Sequence, residues 1–175
     1  MTLLLVLTPL VMLSHISWSQ EENGLLFNVD GRDVDFIGIM QDKWRITTAR
    51  CDAVRALAHS DPQFSEIKKL IQSYSPPNSV AIKTMAVWTS GTWAVAELEF
   101  EDLLPAVVTV KNMDQDATIV ADGVWSGMTT PWKSGPFIRA YLGKRTPEMP
   151  TALLNCFELR SASFDPWAES ANTAP

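Results

Sequence analysis

The chain is short of the residues that most often announce chemistry. Of its 175 residues only two are histidine and two are cysteine, and no Asn-x-Ser/Thr acceptor triplet occurs in it. Structural zinc needs clustered Cys and His, which this composition does not offer. No motif asks for a cofactor either. Positive charge is also scarce, with 14 Lys and Arg against 20 Asp and Glu and a formal net charge of −6. That balance argues against a general nucleic-acid role or an anionic-membrane role, since both partners are held by cationic surfaces. With 46% hydrophobic and 19% charged residues, the chain has what a folded core needs and lacks the signature of disorder. Its length suits one domain.

No Lys or Arg precedes the apolar run Leu3–Leu13, yet MTLLLVLTPLVMLSHISWSQ otherwise reads as a secretory leader. Ser17 and Ser19 are the small residues expected at −3 and −1, so removal of residues 1–19 fits. A spanning helix is the alternative. It suffers from shortness and from Pro9, Ser14 and His15, because about 20 mostly apolar residues are needed to cross a bilayer. The expectation is a periplasmic or secreted protein with no stable membrane span once the leader is gone. In that compartment Cys51 and Cys156 pair as a disulfide; two buried free thiols are the alternative.

Beyond the leader, LLFNVDGRDVDF is a hairpin signal, with Asp30-Gly31 suited to a two-residue turn of positive φ. This pairs Val29 with Arg32, Phe27 with Val34 and Leu25 with Phe36. It sets Leu25, Phe27, Val34 and Phe36 on one face and Asn28, Asp33 and Asp35 on the other. Apolar spacing over Ile46, Ala49, Ala53, Val54 and Leu57 predicts a first helix, ending near His59. A second helix begins at Ser60 with Pro62 and Gln63, carries the stripe Phe64, Ile67, Leu70, Ile71 and Tyr74, and stops at Pro76-Pro77. From Val80 the period changes to that of strands. VAIKTMAVW and WAVAELEFE flank TSGT as a four-residue loop, which would pair Trp88 with Trp93, and AVVTVKN and ATIVADGVW follow. Short helices are expected at Phe137–Leu142 and Met149–Phe157. The reading is therefore an α+β domain over residues 20–165, followed by a tail over 166–175. It has an antiparallel sheet of about five to six strands, two helices from the N-terminal half packed on one face, and a single disulfide. Small cystatin-like and nuclear-transport-factor-like domains resemble this outline in architecture alone.

Candidate chemistry is sparse. NMDQDA places Asn112, Asp114 and Asp116 like the start of a calcium loop, but Ala117 and Gly123 stand where such a loop needs Gly and Glu, so a polar turn is expected. Glu97, Glu99 and Glu101 alternate along one strand. They could supply an acid and a base, or form the solvated side of a half-buried strand. Ser126 in GVWSG is displaced by one position from a nucleophile elbow and flanked by Trp125. The tryptophans can pack, or can stack on sugar rings or a peptide.

The segment Gly123–Pro147 is unlike the rest. It holds Lys133, Arg139, Lys144 and Arg145 and no acidic residue, a charge of +4 against −10 elsewhere. Arg forks suit carboxylate and phosphate, and a helix start at Ser134-Gly135 favours anions. The same cations can instead pair with the protein's own acids. The expected function is thus a non-catalytic binding module for an anionic small molecule or glycan. Lys133, Arg139 and Arg145 would contact the anionic group, with Trp125 or Trp132 as the stacking surface. The alternatives are an inhibitor or accessory factor that binds an envelope protein, and a hydrolase using Ser126 or the Glu97/Glu99 pair.

Overall fold

A computed structural model describes residues 16–74, 82–113 and 116–164. Most of the expected leader, the whole tail, the Pro76-Pro77 stop and Asp114 lie outside the described residues. Among the described residues there are two antiparallel sheets. The first is a three-stranded unit formed by β1 (Ile16–Glu21), β2 (Gly24–Val29) and β3 (Arg32–Val34), in that order. Asp30 and Gly31 make the turn between β2 and β3 with φ of 51° and 80°, as that turn chemistry requires. Phe27 faces Val34 and Val29 faces Arg32, in the expected register. Leu25 does not pair with Phe36. It lies opposite Gln20 of β1, and Leu26 is the most buried residue of β2.

Phe36 instead opens α1 (Phe36–Thr48), because the Asp35 side chain accepts a hydrogen bond from the Gly38 backbone and caps the helix. The first helix therefore lies about ten residues earlier than the apolar spacing placed it. Cys51–Ala53 is a turn, and Arg55–Ala56 is a short strand, β4, paired with Trp88 and Thr89. His59 sits in the following turn with its ring 4.5 Å from that of Phe64. The second helix, α2, covers Pro62–Tyr74 and buries Phe64, Ile67 and Ile71. Asp61, not Ser60, accepts the bond from the Gln63 backbone at its start.

The second sheet runs β4-β5-β6-β7-β8, with β5 at Lys83–Ser90, β6 at Trp93–Glu99, β7 at Ala106–Lys111 and β8 at Thr118–Ser126. Only Gly91 and Thr92 lie in the β5–β6 turn, so Trp93 faces Ser90, and Trp88 faces Val95. Two helices follow, α3 (Ser134–Arg145) and α4 (Thr151–Cys156). The sheet divides the apolar residues into two cores. Ala94, Ala96 and Leu98 of β6 pack with α2, whereas Val95 joins Trp88, Val107 and Trp125 against Ile138 and Leu142 of α3, Leu153 of α4 and Phe157. The central strands are thus covered on both faces. Of the two helices expected on one face, α2 lies on the sheet and α1 packs on α3.

Cys51 and Cys156 form the expected disulfide, with Cα atoms 5.6 Å apart and 105 positions between them. It ties the turn after α1 to the end of α4. Closing so long a loop stabilises by roughly 2–4 kcal/mol. Cys51→Ala with Cys156→Ala should lower the unfolding free energy by about that amount in urea titrations. An unchanged midpoint would show that the bond constrains nothing the core does not already hold.

Candidate functional site

The basic segment begins at the end of β8 and runs through a loop into α3. Trp125 points inward from β8, its ring 6.4 Å from Phe137 and 5.8 Å from Phe164. It belongs to the core and offers no face to a ligand. Arg139 lies on the inner side of α3 and is only 8% exposed. Its Nη1 donates to the Phe157 carbonyl at 3.1 Å, its Nη2 to the carboxylate of Asp42 on α1, and its guanidinium stands over the Phe157 ring. Arg45 shares the same carboxylate, Nε to Oδ1 at 3.1 Å, and reaches the Asn155 carbonyl with Nη1 at 2.9 Å. Burial, then the neighbouring Arg45, pull the Arg139 guanidinium down to about 10, which leaves it a cation at neutral pH.

The amino end of α3 is occupied by the protein itself. Asp35 is buried; its Oδ1 accepts from Gly38 at 2.7 Å and its Oδ2 from the Lys133 backbone at 3.0 Å. One carboxylate therefore serves the starts of two helices, taking the place expected for a ligand's anion. Gly38 is required for this, since a Cβ there would lie 2.1 Å from Asp35 Oδ2. Arg139 covers Gly135 in the same way, and Ser134 donates to the Phe164 carbonyl. The Asp-x-x-Gly spacing that signals this cap was visible in the sequence, although alternation had placed Asp35 on a strand.

The remaining residues of the segment diverge. Lys133 lines a cavity of about 190 Å³ with Arg139, Arg45, Asp42 and Glu158, a setting of both charge signs. Arg145 is exposed at the far end of α3, its guanidinium 5.6 Å from the Tyr141 ring centroid. Trp132 lines a larger cleft of about 480 Å³ between β2, α1 and α3. Tyr141 and Lys144 share that wall, and Asn23, Ile37 and Gln41 stand across from them. Sequence reasoning missed Asn23, Gln41 and Tyr141, which come from three separate elements.

Glu97 and Glu99 do share a face, but that face is a core. Glu97 is 0% exposed. Its oxygens accept from the backbones of Arg160 and Ser161 at 2.8–3.0 Å, and Glu99 accepts from the Ser161 hydroxyl and from Lys83 at 3.4 Å. The expectation of a solvated side is overturned, because α3, α4 and the chain beyond them cover it. Burial raises the Glu97 pKa against the pull of those two backbone bonds. Ser126 lies on the other side of the sheet, at the rim of an apolar groove of about 340 Å³ lined by Ile71, Leu98, Phe100 and Ile119. Among the described residues, no group of three or more His, Cys, Asp or Glu side chains is placed to hold a metal ion. Comparison with known proteins found no matching family model, curated relative or solved structure.

Two outcomes follow from the buried charges. Arg139→Ala leaves Asp42 with Arg45 alone, removes the donor to the Phe157 carbonyl and empties the space the guanidinium fills, and should cost about 3 kcal/mol in chemical denaturation. Arg145→Ala, at an exposed position, should stay within about 0.5 kcal/mol of the native chain. Equal effects would refute the division of the two. For Glu97 the folded pKa is above the unfolded one, so the folded state holds more protons and stability falls as pH rises through that window. The stability of Glu97→Gln relative to the native chain should therefore shift in the variant's favour between pH 4 and pH 7. No shift would mean that the Glu97 carboxyl titrates alike in the folded and unfolded chains.

Proposed function

We propose that this chain is an exported binding module without a catalytic centre, and that its ligand is an anionic small molecule or glycan held in the cleft between β2, α1 and α3. One observation carries the reading. Trp132 and Tyr141 present aromatic rings, Asn23 and Gln41 present amides, and Lys144 presents a cation, all in one cleft of about 480 Å³. Apolar walls with a few converging polar groups are the general form of small-molecule sites. The aromatic rings suit a sugar or planar ring, and Lys144, followed by exposed Arg145, suits a carboxylate, sulfate or phosphate. Asp35 also borders the cleft, but the Gly38 and Lys133 backbones already engage its oxygens.

Export is supported by the leader-like residues 1–19 and by the disulfide, which suits an oxidising compartment. Among the described residues no helix is long and apolar enough to cross a membrane. A second reading, an accessory factor for another envelope protein, is favoured by the outer face of α1, where Met40 is 69% and Trp44 73% exposed.

The test is a thermal-shift scan of the exported protein against acidic sugars, aromatic acids and inorganic anions. A ligand at 100 times its Kd stabilises by about 2.7 kcal/mol, which for a domain of this size raises Tm by roughly 5–10 °C. Trp132→Ala and Lys144→Ala should abolish that rise while leaving the ligand-free Tm within about 2 °C. A hit that both variants retain would move the site elsewhere, and a panel without hits would leave the accessory-factor reading in its place.

A further inference from the structure

All six side chains of β1 are exposed. The strand nevertheless pairs along its whole length with β2, from Ile16 opposite Val29 to Glu21 opposite Gly24. Its attachment is therefore backbone pairing, supplemented where Trp18 lies opposite Phe27. The Phe27 ring meets the edge of Phe36 at 5.5 Å, and the exposed side chains of Ile37, Met40 and Trp44 continue outward along α1. An uncovered apolar surface thus begins at the seat that β1 occupies.

The expected processing point, between Ser19 and Gln20, falls inside β1. On that reading Ile16–Ser19 leave with the leader. Most of the β2 edge then loses its partner, and a row of N–H and C=O groups is bared beside apolar side chains. The other edge of β2 is taken by β3. Exposed Glu21, Glu22, Asp30 and Asp33 surround the seat, with Arg32 as the basic residue of the hairpin.

We propose that in the processed chain β2 accepts an extended segment of a partner protein in place of β1. The segment runs antiparallel to β2 in the register β1 shows, with apolar side chains where Ile16 and Trp18 now stand and basic residues at its flanks. Strand addition of this kind draws affinity from the main chain and specificity from alternate side chains. The proposal rests on the leader reading of residues 1–19 and is independent of what the Trp132 cleft binds.

The full chain is expressed in an exporting host, the recovered protein is sequenced from its N terminus, and its binding of a fluorescent peptide is measured. The peptide is SHISWS, residues 14–19, preceded by two lysines. A protein that begins at Gln20 should bind it saturably. N-methylation of one alternating set of the peptide's backbone nitrogens should weaken binding about tenfold or more, as loss of two hydrogen bonds would, and methylation of the other set should leave it unchanged. An N terminus at or before Ile16 overturns the leader reading, and the proposal with it. A protein that begins at Gln20 and shows no binding, or equal sensitivity to both methylated sets, overturns the proposal alone. A dimer that the peptide dissociates assigns the edge to a second copy and likewise overturns it.

Discussion

The placement of α1 depends on carboxylates that face inward. Asp35 holds the first turn of α1 and the first turn of α3 together, and Asp42, one side of the helix further on, binds Arg139 and Arg45. The usual amphipathic arrangement is broken. Asp42 and Arg45 turn toward the protein, whereas Ile37, Met40 and Trp44 are exposed beside Gln41 and Lys43. Apolar burial would let a helix slide or rotate at little cost, whereas a shared carboxylate fixes both its angle and its height. Leaving any one of these buried charges without its partner is expensive, so the arrangement behaves as a unit. It also sets the width of the cleft that Trp132 and Gln41 border from opposite sides.

The sheet shows a related use of a buried carboxyl group. Central strands covered on both faces usually read as continuous apolar runs, and β6 departs from that at Glu97 and Glu99, of which Glu97 is the fully buried one. Its carboxyl group receives backbone hydrogens from Arg160 and Ser161, which are 63 and 64 positions further along the chain. The last described stretch is thus held to the sheet by a buried carboxyl group, with Phe157 and Phe164 closing the core around it.

Much of this architecture was legible in the residues, for identifiable reasons. Asp30-Gly31 determined a turn and thereby a register; the stripe from Phe64 to Ile71 determined α2; alternation marked β5 to β8; and two cysteines left one pairing. The failures share a cause as well. Pattern reading assumes that apolar residues point inward and that charges point outward. α1 breaks that rule at Asp42 and Arg45, which turn inward, and at Ile37, Met40 and Trp44, which are exposed, so its true span was hidden and a weaker periodicity past Ile46 took its place. Glu97 breaks it at one position, where the neutralising donors come from far along the chain and no local pattern can announce them. For the candidate site, Arg139 had the right chemistry for an anion, but the anion is the protein's own Asp42. The cleft itself was invisible because Asn23, Gln41 and Tyr141 become neighbours only through the fold.

The long reach of these contacts bears on the order in which the domain can close. Cys51 has no partner until residue 156 is available, and Glu97 has none until residue 160. Closing contacts of such separation is slow, because loop entropy must be overcome first. A chain emerging from its N terminus would already expose α1, α2 and the first strands of the sheet while the second core still lacked its far wall. The same contacts that seal the finished domain therefore leave its second core open until the final described segment is in place.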